Sequence, residues 1–140
     1  MAGPTLIDTG PFVALIDRGE ASHRACVEVL DRLRPPFLTT WPVWTEVMYL
    51  AARGGWAAQR LLWELSSALE VVVACPEAGE TARIRALMEQ YRDLPTSLAD
   101  ASLVALAERT GAQRVFTLDG HFRAYRPRGR RILRLLPETR

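Results

Sequence analysis

The strongest restriction on this chain is the regular alternation of short apolar runs with longer stretches of helical periodicity. Thr5–Ile7, Phe37–Thr40, Leu69–Ala74, Arg114–Leu118 and Ile132–Leu136 read as strands. Helical patterns cover Pro11–Asp17, Glu20–Leu33, Pro42–Ala52, Trp56–Leu65, Glu77–Tyr91 and Leu98–Arg109. Pro35-Pro36, Gly54-Gly55 and Gly111 punctuate them, and Pro42 suits a first helical turn. The order β-α-α-β-α-α-β-α-α-β-β predicts a three-layer α/β/α fold. Its central sheet has about five mostly parallel strands, joined by right-handed crossovers with helices on both faces. The Val-rich run at Leu69–Ala74 is expected to be buried on both faces. Inward stripes are expected at Ala21, Ala25, Val29, Leu30 and Leu33, at Ala58, Leu61, Leu62 and Leu65, and at Ala82, Leu87 and Met88.

A length of 140 residues fits one domain, residues 1–140. No apolar run approaches the roughly 18 residues that span a bilayer. Met1-Ala2-Gly3-Pro4 lacks the basic and apolar regions of a secretory signal, so a cytoplasmic location is expected. Cys26 and Cys75 lack metal-type spacing and read as buried small hydrophobes in a reducing compartment. The net charge of +2 conceals an asymmetry. From Arg109 onward nine Arg face only Asp119 and Glu138, whereas the first 108 residues carry nine Arg and fourteen acids. There is no Lys. An Arg-rich end suits bidentate phosphate contacts, with a solvated basic surface as the alternative.

Four acids sit in unusual surroundings. Asp8 ends the run Thr5–Ile7, at the strand mouth where open parallel sheets build their sites. Ahead of Thr9-Gly10-Pro11 it also suits a helix N-cap. In Val43–Ala51, positions 43, 47, 50 and 51 form an apolar stripe, and Glu46 occupies its missing i+3 place. A lone buried carboxylate there costs several kcal/mol unless it is paired with an Arg or bound to a metal. Asp100 lies in the first turn of an almost wholly apolar helix, whose positive end favours an anion. Ser97 and Asp100 also match a capping box. Asp119 closes Arg114–Leu118 as Asp8 closes the first strand, although Asp-Gly is turn chemistry too. Gathered in one cleft, four carboxylates would repel one another, and a hard cation such as Mg²⁺ or Mn²⁺ would relieve the repulsion.

With those residues in place, the chain resembles PIN-domain ribonucleases, close to the toxins of VapBC-type toxin–antitoxin pairs. The likeness rests on Leu6-Ile7-Asp8-Thr9, Thr45-Glu46-Val47, the block from Leu98 to Ala107, and Thr117-Leu118-Asp119. The family's acidic positions fall on Asp8, Glu46, Asp100 and Asp119. Thr9 and Thr117 match hydroxyls that order the site. Ser97 stands where similar relatives often carry another acid, a departure that bears on a second metal. The resemblance implies a Mg²⁺- or Mn²⁺-dependent endoribonuclease with a water nucleophile, a small antitoxin partner and a homodimer. In that reading Arg123, Arg126, Arg128 and His121 approach the RNA, whose unpaired bases set the choice of target. Trp44, Trp56 and Trp63 serve core packing or, where exposed, a dimer or antitoxin face. His23 reads as a surface or packing residue.

Three other readings compete. Asp8-Thr9-Gly10 is an aspartic-protease tripeptide, but that fold is nearly all β. Receiver and haloacid-dehalogenase domains place Asp at strand ends but generally use a Lys. A non-catalytic RNA-binding or scaffold module on the same fold would usually have lost site acids.

Overall fold

The computed structural model describes residues 3–129 and 131–138, so Arg130 and Arg140 of the basic end lie outside the described residues. The strands are β1 (Thr5–Ile7), β2 (Phe37–Thr40), β3 (Val71–Ala74), β4 (Arg114–Phe116) and β5 (Arg134–Leu136). They form one sheet in the order β3-β2-β1-β4-β5, and every pair is parallel. Between the first four strands run α1 (Thr9–Ile16), α2 (His23–Leu30), α3 (Trp41–Ala51), α4 (Gly55–Ala68), α5 (Glu80–Gln90) and α6 (Leu98–Thr110), two per crossover. This is the expected α/β/α architecture. From β4 to β5 the chain returns without an α-helix, using short 3-10 turns at Gly120–Arg123 and Pro127–Gly129.

The strand order locates the site. Leaving β1, the chain builds β2 and β3 to one side, then crosses back to place β4 and β5 on the other. The reversal falls between β1 and β4, and the carboxyl ends of two such strands diverge to leave a crevice. Asp8 directly follows β1, and Asp119 lies three residues beyond β4. The Asp8 N–H donates to Phe116 O (2.9 Å), which carries the β1–β4 ladder up to the crevice.

Helix α6 forms the core axis. Every residue from Ala99 to Ala107 is buried, which small side chains permit by letting neighbouring elements approach closely. Ser97 caps its start by accepting from the Asp100 N–H (3.1 Å), and Gly111 ends it with φ 75°, a left-handed conformation that disfavours a side chain.

Several local expectations are corrected. β3 is an edge strand with one neighbour, so it is only partly buried and Val72 is 53% exposed. Helix α2 starts at His23 and turns Cys26 inward while Ala21 and Ala25 face solvent, so its buried register is shifted by one residue. Leu61 and Ala82 are exposed, and Ile84 takes the inward place in α5. Cys75, just past the edge strand, is exposed rather than buried. In the helices periodicity identified the apolar face, and the packed neighbours decided where its centre falls.

Candidate active site

An open pocket of about 430 Å³ lies at the crevice, lined by Asp8, Thr9, Glu46, Ser97, Asp100 and Asp119, with Gly10, Pro95 and Leu118. Four separate segments supply the acids: the ends of β1 and β4, the middle of α3 and the first turn of α6. A buried polar ladder links α3 to α6. The Thr40 and Ser102 hydroxyls lie 2.6 Å apart, Thr40 Oγ1 accepts from the Val43 N–H, and Ser102 donates to Ala99 O (2.7 Å). The helix carrying Glu46 is thereby tied to the helix carrying Asp100.

Each acid is held by a hydroxyl or a ring. Thr117 Oγ1 donates to Asp8 Oδ2 (2.8 Å) and accepts from the Asp119 N–H (2.9 Å), so one hydroxyl spaces two acids. Thr9 Oγ1 donates to Glu46 Oε2 (3.2 Å). The Tyr125 hydroxyl donates to Asp100 Oδ2 (2.9 Å). Asp119 Oδ1 accepts from the His121 N–H (2.8 Å) and lies 2.7 Å from His121 Nδ1. Asp8 stands at the N-cap position of α1 but makes no side-chain cap hydrogen bond, which separates its carboxylate from the capping role. Asp119 does cap the following 3-10 turn, so that acid combines turn chemistry with a place in the pocket.

Asp8 and Asp100 are each only 6% exposed. Burial pushes the Asp8 carboxyl up to about 6, helped by the charges of Asp100 and Asp119 and opposed by hydrogen bonds from the Thr9 backbone and Thr117. Burial also raises Asp100, as does Asp119, against the Tyr125 and Ser97 hydrogen bonds. The crevice thus concentrates negative charge that costs energy to keep ionised.

Glu46 needs a correction. It is solvent-exposed: α3 buries Val43, Trp44, Val47 and Ala51, which rotates position 46 to the pocket rim. The cost of burying a lone carboxylate therefore does not explain it. Its place in the pocket comes from the meeting of α3 with the start of α1. Gly10 matters for a similar reason, since a Cβ there would press on the Leu118 side chain at 3.2 Å.

The expected basic contacts separate. Arg123 shares a second pocket with Leu118 and Asp119, beside the acids. The Arg126 guanidinium folds back on the Tyr125 carbonyl (3.0 Å). Arg128 lies away from the pocket: its N–H donates to Glu108 Oε2 (2.6 Å) and its Nη2 to Glu108 O (3.0 Å), about 12 Å along α6 from Asp100. Arg131 donates to the carbonyls of Ala107 (2.7 Å) and Ala112 (3.3 Å), and Arg109 binds Glu77 and Glu80. Arg109, Arg128 and Arg131 thus gather at the C-terminal end of α6, away from the acid pocket. Tyr125, in contrast, was not apparent from sequence, because a lone Tyr in an Arg-rich connection carries no periodic or motif signal.

The donor chemistry suits a hard divalent cation, being all carboxylate and hydroxyl oxygen around a charge excess. No ion pair to Arg joins Asp8, Glu46, Asp100 or Asp119 among the described residues. Nor, among them, do three acids or histidines stand close enough together to enclose an ion without adjustment.

Comparison with known proteins supplies the family and the fold. Residues 5–126 match the PIN domain family. The chain is 32% identical over 127 residues to ribonuclease VapC26 of Mycobacterium tuberculosis, covering 89% of this chain and 93% of that protein. The crystal structure of Mycobacterium tuberculosis VapC20, a sarcin-ricin loop cleaving toxin, superposes with a TM-score of 0.78 at 22% identity, covering 86% of this chain and 93% of the other. VapBC2 from Rickettsia felis, solved bound to a promoter DNA fragment, gives a TM-score of 0.66 at 20% identity, covering 94% and 96%.

Proposed function

This chain belongs to the PIN-domain family, and from that premise we propose that it is an endoribonuclease, the toxin of a toxin–antitoxin pair. The observation that carries the reading is the meeting of Asp8, Glu46, Asp100 and Asp119 at the sheet's switch point, where hydroxyls and a ring hold the carboxylates. These four side chains would hold Mg²⁺ or Mn²⁺. A cation there would supply Lewis-acid stabilisation of the attacked phosphate and acidify water.

The residues of the chain do the rest. Thr117 fixes Asp8 Oδ2 and sets the spacing to Asp119, Thr9 restrains Glu46 at the rim, and Ser97 holds the first turn of α6 that presents Asp100. A carboxylate oxygen among the four takes the proton of the attacking water. Leu118 and the aliphatic part of Arg123, beside the acids, border the path of the RNA strand, with His121 at the same lip. VapC20's description as a sarcin-ricin loop cleaving toxin supports a folded RNA loop as the target class, read through its unpaired bases.

An antitoxin partner is supported by the toxin–antitoxin complexes among the structural relatives, such as one from Klebsiella pneumoniae (TM-score 0.62, 23% identity). On this chain Trp41, Tyr49, Trp56 and Trp63 are exposed along α3 and α4, whereas Trp44 is buried between Phe12 and Trp63. An exposed aromatic face of this kind suits a protein interface, with the antitoxin or with a second copy in a homodimer. No helix among the described residues is long and apolar enough to cross a membrane. We place the protein's action in the cytoplasm, where RNA and an antitoxin would be met.

The test is cleavage of structured RNAs by purified protein with Mg²⁺, Mn²⁺ or chelator, beside Asp8→Asn and Glu46→Gln. Divalent-dependent cleavage lost in both variants is expected. Equal residual cleavage in both variants would overturn the assignment.

A further inference from the structure

We propose that Tyr125 is a positioning residue that fixes the Asp100 carboxylate for cation binding, an inference that rests on the acid pocket being the cation site. Tyr125 is fully buried, and its hydroxyl lies 2.9 Å from Asp100 Oδ2 and 3.1 Å from Thr96 Oγ1. Its ring meets Tyr91 and Phe122 edge-on, with centroids 5.0 and 5.1 Å away. The Tyr91 hydroxyl in turn accepts from the Arg126 N–H (3.0 Å), anchoring the connection just after Tyr125.

Proton counting gives the contact its direction. An ionised Asp100 can only accept, and Tyr125 has one proton to give. The Thr96 hydroxyl has an acceptor of its own in Tyr91 O (3.1 Å), so Thr96 needs no proton from Tyr125. The bond to a carboxylate is also the stronger of the two. Tyr125 therefore donates to Asp100 Oδ2. The terminal torsion of an aspartate is broad, so a rigid donor on one oxygen decides how the other is presented. The same connection carries Asp119 and Tyr125, so it places one acid directly and orients a second across the pocket. A tyrosine needing only a hydrogen-bond partner in the core would have been satisfied by Thr96.

The experiment titrates Mn²⁺ into the full chain without RNA, following free Mn²⁺ by electron paramagnetic resonance. Tyr125→Phe keeps the ring and removes the donor. It is expected to weaken Mn²⁺ binding on the order of tenfold or more while the far-UV spectrum stays native and KM for RNA at saturating Mn²⁺ is unchanged. Phe122→Leu, which keeps the hydroxyl but loosens the ring, is expected to weaken binding severalfold, and it serves if Tyr125→Phe folds poorly. Asp8→Asn is the control. If Asp8→Asn loses Mn²⁺ while Tyr125→Phe, or in its place Phe122→Leu, binds as the parent does, Tyr125 is a core residue and the proposal is overturned. If Asp8→Asn also binds as the parent does, the cation reading of the pocket fails and takes this inference with it.

Discussion

The two ends of α6 handle negative charge in opposite ways. At its N-terminus, Asp100 sits near Asp8 and Asp119, held by the hydroxyls of Tyr125 and Ser97. At its C-terminus, Glu108 is clamped bidentately by Arg83 (2.8 and 2.9 Å) and by the Arg128 N–H, and these donors hold its carboxyl below the usual range. Neighbouring Arg109 binds Glu80 and Glu77. A hydroxyl orients a carboxylate without cancelling its charge, whereas a guanidinium does both. On the proposed reading the first end keeps its charge excess for a cation, and the second is structure.

The largest test of this contrast is functional. Asp8→Asn or Asp119→Asn is expected to lower RNA cleavage on the order of 10²-fold or more with the fold intact. Glu108→Gln should leave cleavage per folded molecule within about twofold, because Glu108 lies far along the helix. Steady-state cleavage rates normalised to folded protein read both, and comparable losses would erase the distinction.

Stability should respond to pH at the acid end. The folded pKa of Asp8 is raised from 3.8 to about 6, so the native state binds that proton more tightly than the unfolded chain does. Stability from this group is therefore greatest below about 4, falls as pH rises towards 6 and stays lowered above it, by at most about 3 kcal/mol. In chelator at pH 7.5 Asp8→Asn is accordingly expected to be more stable than the parent, with the gap closing by pH 4. Urea denaturation at the two pH values measures it, and a gap that does not depend on pH would contradict the burial argument.

At the other end the sign reverses. Glu108→Gln should destabilise by about 2 kcal/mol, since it weakens hydrogen bonds to a charged partner, and urea midpoints read the loss. Arg128→Ala should cost about 1 kcal/mol or less, because the guanidinium contacts it removes are exposed and its backbone N–H still reaches Glu108, and it should leave cleavage and its salt dependence unchanged. A reduced salt slope in that variant would return Arg128 to the RNA path.

Much of this was legible in the chain itself. Six helical stretches and five apolar runs, in that order, specify a parallel sheet with paired crossover helices, because a parallel connection needs that length of chain. Asp8 and Asp119 could be placed at strand ends and Asp100 at a helix start, since local pattern determines where elements begin and end. Tertiary packing decided the rest. Glu46 reads as a stripe-breaking buried acid until α3 rotates about Trp44 and leaves it at the rim. The Val-rich run reads as a strand buried on both faces until the order β3-β2-β1-β4-β5 puts it at an edge. The Arg-rich end reads as either a phosphate surface or a solvated basic one, and only the fold shows that Arg109, Arg128 and Arg131 gather at the end of α6. Tyr125 acquires its place only when the β4–β5 connection folds back across Asp100. Periodicity is a property of neighbours along the chain, whereas the partner of a charge is chosen among residues that only the fold brings together.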